Sequence, residues 1–311
     1  MAWSIVKRLI TVIPTLILAS VLVFGLLKLI PGDPAIVVAG DFSTPERLAE
    51  IRQQLHLNDS LPVQFGHWAG GAVHGDLGTS LYSKTTVMSS VKARLPATAQ
   101  IVVGALLLSC LIGIPLGFAA GWRAGGKVDG VARTVSTIGI GIPNFWLGMI
   151  LVTIFALKLK WLPAVGFKGI TSGLGDTAKY VLLPAIALGA ASVSEMTRQT
   201  RSAVLEVRNQ DYVRTLRAIG LSDRAIFKHV AKNAGVPIIT VLGLQASRLL
   251  GATVIVEAVF GIHGAGSLIV DSVSRRDYPI VQGVVLVMAV IILAVNLLVD
   301  VSYRIIDPRI R

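Results

Sequence analysis

The chain has 311 residues, 53% of them hydrophobic and only 15% charged, with a mean hydropathy of +0.73. That balance excludes an ordinary soluble domain and points to an all-α polytopic membrane protein. The formal net charge of +12 follows the positive-inside pattern set out below, so it implies no nucleic-acid partner, and the single cysteine, Cys110, excludes a disulfide framework and a thiolate metal site.

Lys7 and Arg8 followed by an apolar stretch imitate a signal peptide. The stretch runs over 9–30, longer than the roughly 7–15 residues of a signal-peptide core, and reads as a retained first span. Apolar runs of about 20 residues suit a bilayer crossing. They occur at 9–29, 97–121, 134–157, 180–197, 236–259 and 280–303, which predicts six spans with both termini on one side. Placing that side in the cytoplasm puts Lys7, Arg8, Arg123, Lys127, Arg133, eight basic residues of 198–236, Arg304, Arg309 and Arg311 inside. The two short outer loops hold only Lys158, Lys160, Lys168, Lys179, Arg275 and Arg276, so the asymmetry favours cytoplasmic termini.

Three parts follow: the tail and first span (1–30), an extracytoplasmic segment (31–95), and a five-span core (96–311) containing the polar loop 198–236. Segment 31–95 is too long for a plain loop. Thr44-Pro45-Glu46 is a helix start, with Leu48, Ile51 and Leu55 on one face, and Val87, Val91 and Leu95 form a second stripe. These predict interfacial helices, either capping the bundle or docking an external protein. His56, His67 and His74 lie here too, but no spacing sets two of them as ligands on one helix face, and no metal site is assigned. Asn58-Asp59-Ser60 fits a glycosylation acceptor, a pattern that matters only in a eukaryotic secretory context.

Within the spans, Gly113, Gly117 and Gly121 repeat every fourth residue, the small-residue pattern of closely approaching helices. Pro115, Pro143, Pro184 and Pro237 weaken their helices, as happens around cavities and in ordinary membrane proteins alike. The stretch Gly121 to Val128 nearly spells a phosphate-cradling loop, but Val128 stands where a hydroxyl must hold magnesium, and a membrane helix rather than a strand precedes it. It reads as a short basic inner turn.

The polar island 198–236 carries Arg198, Arg201, Arg208, Arg214, Arg217, Arg224, Lys228 and Lys232. It reads as two short helices hinged at Gly220: Tyr212 to Ala218, then a second from Ser222, which can act as N-cap, through Ala231. In the fifth span, Arg248 sits near the middle and Glu257 near the outer end. Nine residues separate them, half a turn out of phase, so they cannot pair on one straight helix. Arg248 therefore faces a wet cavity, a partner subunit or another helix. Asp300 and Arg304 are spaced as a structural pair. No nucleophile–base set, paired carboxylates or zinc motif sits within a span, so no catalytic residue is assigned.

Several stretches in order resemble one family. Leu29-Ile30-Pro31-Gly32-Asp33-Pro34 ends the first span, and Gly75-Asp76-Leu77-Gly78-Thr79-Ser80 follows in the outer segment. Asp211 to Gly220 precedes Asn233 and Pro237; then come Val256 to Phe260 with Gly264 and Gly266, Arg276-Asp277-Tyr278-Pro279, and Asp307-Pro308-Arg309. Together they resemble the first of the two permease subunits of bacterial ABC importers for dipeptides and oligopeptides. Leu216 and Ile219 depart from the pattern, where that branch more often shows Ala and Lys, and this bears on details of the ATPase contact. The resemblance implies six helices of the type I importer kind and half of a heterodimeric pore in the bacterial inner membrane. It further implies a second permease, two ATP-binding subunits and an external substrate-binding protein as partners. Import would proceed by alternating access, with ATP and magnesium held by partner subunits and no cofactor or ATPase site in this chain. Tyr212, Arg214, Thr215, Arg217, Ala218, Gly220 and Leu221 would couple to the ATPase, and Arg248, Glu257, Gly113 and Gly117 would line the pore or partner interface. The same branch includes carriers of nickel, haem and glutathione. A secondary transporter would need mid-depth carboxylates and often an inverted repeat; neither is apparent.

Overall fold

The computed structural model describes residues 2–29, 33–39 and 44–306, with side chains over 13–29, 33–36, 38–39, 44–299 and 301–302. The expected inner charges Lys7 and Arg8, the Asp300–Arg304 pair, Pro31-Gly32 and the terminal Asp307-Pro308-Arg309 lie outside those descriptions. The described residues are helices and connections, with a single isolated β-bridge between Thr79 and Thr86. Two compact units emerge, one of 1–96 with 263–293 and one of 97–262 with 294–311.

In the first unit, α1 (Ala2–Lys28), α2 (Pro34–Ala39), α3 (Pro45–Gln54) and α4 (Leu61–Val73) follow one another. Thr44 starts α3 as its sequence suggests: extended backbone, Pro45 at the first helical position, and Oγ1 accepting from the Arg47 amide at 3.3 Å. Of the expected stripe, Ile51 is buried and Leu48 and Leu55 half-buried. Phe24 of α1 packs against Phe65 and Trp68 of α4 with ring centroids 5.5 and 6.4 Å apart. The turn 75–80 closes on Asp277, whose carboxylate accepts from Ser80 Oγ and, at 3.0 Å, from the Leu81 amide. The stripe Val87–Val91–Leu95 differs from expectation. It belongs to α5 (Val87–Leu108), a direct extension of the second span rather than a separate interfacial helix.

In the second unit, α5 continues through a π turn (Ser109–Gly113) into α6 (Ile114–Trp122), making one 36-residue rod. Pro115 lacks an amide hydrogen and its ring crowds the preceding turn, and the wider π turn sits on its N-terminal side. α7 (Lys127–Gly141) and α8 (Asn144–Leu151), the latter running into a π segment (Val152–Lys158), replace the expected third span. They meet at 99°. Pro143 explains the break, because it forces Ile142 into extended backbone (ψ 122°) and ends the helix there. By contrast, α9 (Leu174–Arg208) and α11 (Asp223–Val259) run through Pro184 and Pro237 without interruption, with α10 (Asp211–Ala218) between them. α12 (Ala265–Ser274) belongs to the first unit, and α13 (Tyr278–Ile306) closes the chain.

Four of these helices are long and apolar enough to cross a membrane, the rods from Val87, Leu174, Asp223 and Tyr278, and the bent α7–α8 pair would make a fifth. The fully described apolar part of α1, Ile13–Lys28, stands where the first of six was expected.

Candidate coupling and translocation site

The polar island does not fold as two free short helices. Its first eleven residues are the last turns of α9, and its second expected helix is the first turns of the 37-residue α11. Hydrophobicity marked where the apolar span ends but could not mark where the helix ends. Only α10 is short and free-standing in sequence.

α10 ends as the sequence predicts. Gly220 has φ +80°, its amide bonds to the Arg217 carbonyl at 3.0 Å, and the Leu221 amide bonds to the Leu216 carbonyl at 3.1 Å. That paired pattern is the Schellman close, and its left-handed position suits a residue without Cβ. Ser222 then caps α11, its Oγ accepting from the Ala225 amide at 3.4 Å. Val213 is fully buried among Val204, Ile226 and Val230, with Tyr212, Leu216 and Leu221 packed on the same cluster. Burying one such valine contributes roughly 1.5–3 kcal/mol, which anchors the helix. Asn233 of α11 donates to Tyr212 Oη at 2.7 Å. The opposite face, Arg214, Thr215, Arg217 and Ala218, is exposed, and so is Ile219 at 66%. The named coupling residues thus split between an anchoring set and a presented set.

The phosphate-loop lookalike at 121–128 is already occupied by protein. Gly125 (φ +83°) donates its amide at 2.9 Å to the Asp129 carboxylate, which is 1% exposed. Arg201 grips the same carboxylate through Nε and, at 3.0 Å, through Nη2, while Arg133 lies 3.6 Å away. Arg208 donates to the Trp122 carbonyl at 2.5 Å. Two of the eight island cations therefore lock the inner turn to α9. Asp129 carried no signal of this in the sequence, since its partner is 72 residues away.

Among the four residues expected at a pore or partner interface, three are placed inside the subunit. A Cβ on Gly113 would stand 2.8 Å from Met196 Cβ, and one on Gly117 only 2.4 Å from the Thr197 carbonyl oxygen. These glycines serve the close approach of the π turn and α6 to α9 within the chain. Glu257 is fully buried, its carboxylate accepting from Thr98 Oγ1 at 2.5 Å, so it joins α5 to α11. Small-residue and buried-charge signals mark close helix contacts, but not whether the neighbour is the same chain.

Arg248 is different. It is exposed on α11 and lines a pocket of about 200 Å³ with Asn144, Ser192, Glu195 and Gln245. Ser192 Oγ donates to Gln245 Oε1 at 3.0 Å across that pocket. Glu195, on α9, brings a carboxylate to the same recess as the arginine. Glu195 carries its own signal in the sequence, an acid inside the apolar run 180–197.

One short helix, α10, stands between the two long helices α9 and α11. Residues 113–311 match the family described as binding-protein-dependent transport system inner membrane component. The chain belongs to that family. Residues 1–102 match its companion, the N-terminal part of the same membrane components. The chain is 41% identical over 308 residues to the probable peptide ABC transporter permease protein y4tP of Sinorhizobium fredii, covering 99% of this chain and 98% of that one. It is equally 41% identical over 308 residues, with the same coverage, to the glutathione transport system permease protein GsiC of Salmonella choleraesuis. To GsiC of Escherichia coli it is 39% identical over 309 residues, again with 99% and 98% covered. This binding-protein-dependent permease is an integral inner-membrane subunit of an ABC importer, a machine that also requires ATP-binding and substrate-binding components.

Proposed function

We propose that this permease forms half of the translocation pore for short peptides, dipeptides or oligopeptides, and moves them by alternating access. The observation that carries the mechanism is α10, anchored by Val213, closed at Gly220, and presenting Arg214, Thr215, Arg217 and Ala218 outward. In this reading α10 is the helix that an ATPase grips, with Tyr212 and Leu221 fixing its angle. A second, different permease completes the pore, two ATP-binding subunits dock below, and an external binding protein delivers substrate. ATP and magnesium belong to those partners; the occupied turn at Gly125 supports that division, because Asp129 takes the amide that a phosphate would need. The pocket around Arg248 and Glu195 is the part of this chain that faces the path or the other permease. The peptide class is supported by the relative named as a peptide permease. Glutathione, itself a tripeptide, is the second reading, favoured by the GsiC relatives.

Both termini and α10 lie in the cytoplasm in this reading, and 31–95 lies outside. Single cysteines at Ser60 and Ile219, in a Cys110→Ala background, should label from opposite faces of intact cells; labelling of both from outside would reject the orientation. Purification from native membranes should bring down a second permease and ATPase subunits in fixed ratio. Reconstituted with the binding protein, that complex should accumulate labelled dipeptide. Accumulation of glutathione alone would select the second reading, and an active chain purified without ATPases would overturn both.

A further inference from the structure

The turn after α3 and the middle of α4 bring together side chains that the sequence spaces apart. His56, Asp59 and His67 each place a ligand atom within 4.8 Å of the others. His56 Nδ1 lies 2.9 Å from Asp59 Oδ2, and the two imidazole rings meet edge-on with centroids 4.9 Å apart. Helical spacing could not reveal this, because the histidines belong to different elements. We propose that these three side chains form a binding site for a divalent transition metal of the zinc class.

The donor set is the first argument. Two imidazoles and one carboxylate suit zinc, nickel or cobalt rather than magnesium or calcium, and three protein ligands leave a position open to water or an incoming donor. Ligands on a tetrahedral zinc, each about 2.0–2.1 Å from the ion, stand about 3.4 Å from one another, so the wider gaps, up to 4.8 Å, must close while the 2.9 Å His56–Asp59 contact opens slightly. The His56 side chain is 59% exposed and that of Asp59 36%, which leaves both room to adjust.

The second argument is the backbone. The His56 amide bonds to the Gln53 carbonyl at 3.1 Å and the Leu57 amide to the Arg52 carbonyl at 2.9 Å, so α3 closes with His56 in the left-handed position, φ +55°. Glycine fills that position in most such closes, and a histidine there carries strain that glycine would not. The strained residue is the one that turns an imidazole toward Asp59 and His67.

The third argument is support from outside the ligands. Gln64, one turn before His67 on α4, donates to the Leu57 carbonyl at 3.2 Å and the Asp59 carbonyl at 2.8 Å, and accepts from Lys28 Nζ at 2.5 Å. The Phe24–Phe65–Trp68 cluster holds the same stretch of α4 against α1. Turn and helix are thus stapled together before any ion binds, as a site needs when its ligands come from two elements.

The test uses the intact importer, purified without a polyhistidine tag. Cobalt(II) absorption and zinc(II) competition against a chromophoric chelator should show one saturable equivalent. His67→Ala should weaken zinc binding at least ten-fold. His56→Gly removes a ligand while relieving the left-handed strain, so it should lose the metal yet melt no lower than the wild type in metal-free buffer. His74→Ala, outside the cluster, should bind like the wild type. Absence of cobalt bands, or equal zinc affinity in the His56→Gly/His67→Ala double variant, would show an ordinary helix-closing ion pair and overturn the proposal.

Discussion

Asn233 on the foot of α11 donates a 2.7 Å hydrogen bond to the phenol oxygen of Tyr212, the first-turn residue of α10. The bond joins the presented helix to a membrane-crossing helix 21 residues further on, so a force on α10 reaches α11 through a polar tie as well as through Val213. Asn233→Ala removes about 0.5–1.5 kcal/mol of net interaction. It should leave the complex assembled but lower binding-protein-stimulated ATP hydrolysis several-fold, measured in proteoliposomes. Unchanged stimulation would show that the apolar packing of Val213, Leu216 and Leu221 suffices as the tie.

Gly117→Ala tests the contact of α6 with α9. The added Cβ would stand 2.4 Å from the Thr197 carbonyl oxygen and 2.7 Å from Thr200 Cβ, both held in α9. Overpacking of this kind costs typically about 1–3 kcal/mol. The purified complex should melt several degrees lower. Gly130→Ala, where a Cβ meets nothing within 4 Å, should melt at or above the wild-type temperature. A silent Gly117→Ala would mean that α6 and α9 part more readily than their packing suggests.

The helices themselves were legible, because 20-residue apolar runs and Gly, Ser and Pro at their ends report local physics. Thr44, Ser222 and Gly220 each behave as their chemistry dictates. Two features escape that local reading. The ends of α9 and α11 extend into polar sequence, since a helix continues past the bilayer wherever tertiary packing, here around Met196 and Val230, supports it. The long-range ties of Asp129 to Arg201 and Thr98 to Glu257 join residues 72 and 159 positions apart, and no periodicity encodes a separation of that kind. Pro143 broke its helix while Pro184 and Pro237 did not, and the residue type alone does not distinguish them.

Arg248 shares its pocket with Glu195, and an arginine at mid-span costs at least roughly 2.5–3.5 kcal/mol on insertion scales. In the proposed reading the charge serves the path or the contact with a second permease. Arg248→Ala should insert normally, by protease accessibility, but cut peptide uptake at least ten-fold or weaken capture of the second permease. Wild-type uptake and capture would show that the charge serves neither.

The coupling role proposed for α10 is tested most directly at Gly220. Its φ of +80° with open space around the missing Cβ means that a side chain there is strained by backbone conformation, not by collision. A Cβ in the left-handed region costs roughly 1–2 kcal/mol, and a branched one more. That strain shifts the close of α10 without disturbing the core around Val213. The measurement is ATP hydrolysis by Gly220→Val complexes in proteoliposomes, with and without loaded binding protein, alongside the amount of each subunit recovered. The account predicts normal pairing with the second permease and loss of the stimulation by loaded binding protein. Full stimulation and full peptide uptake from that variant would contradict it.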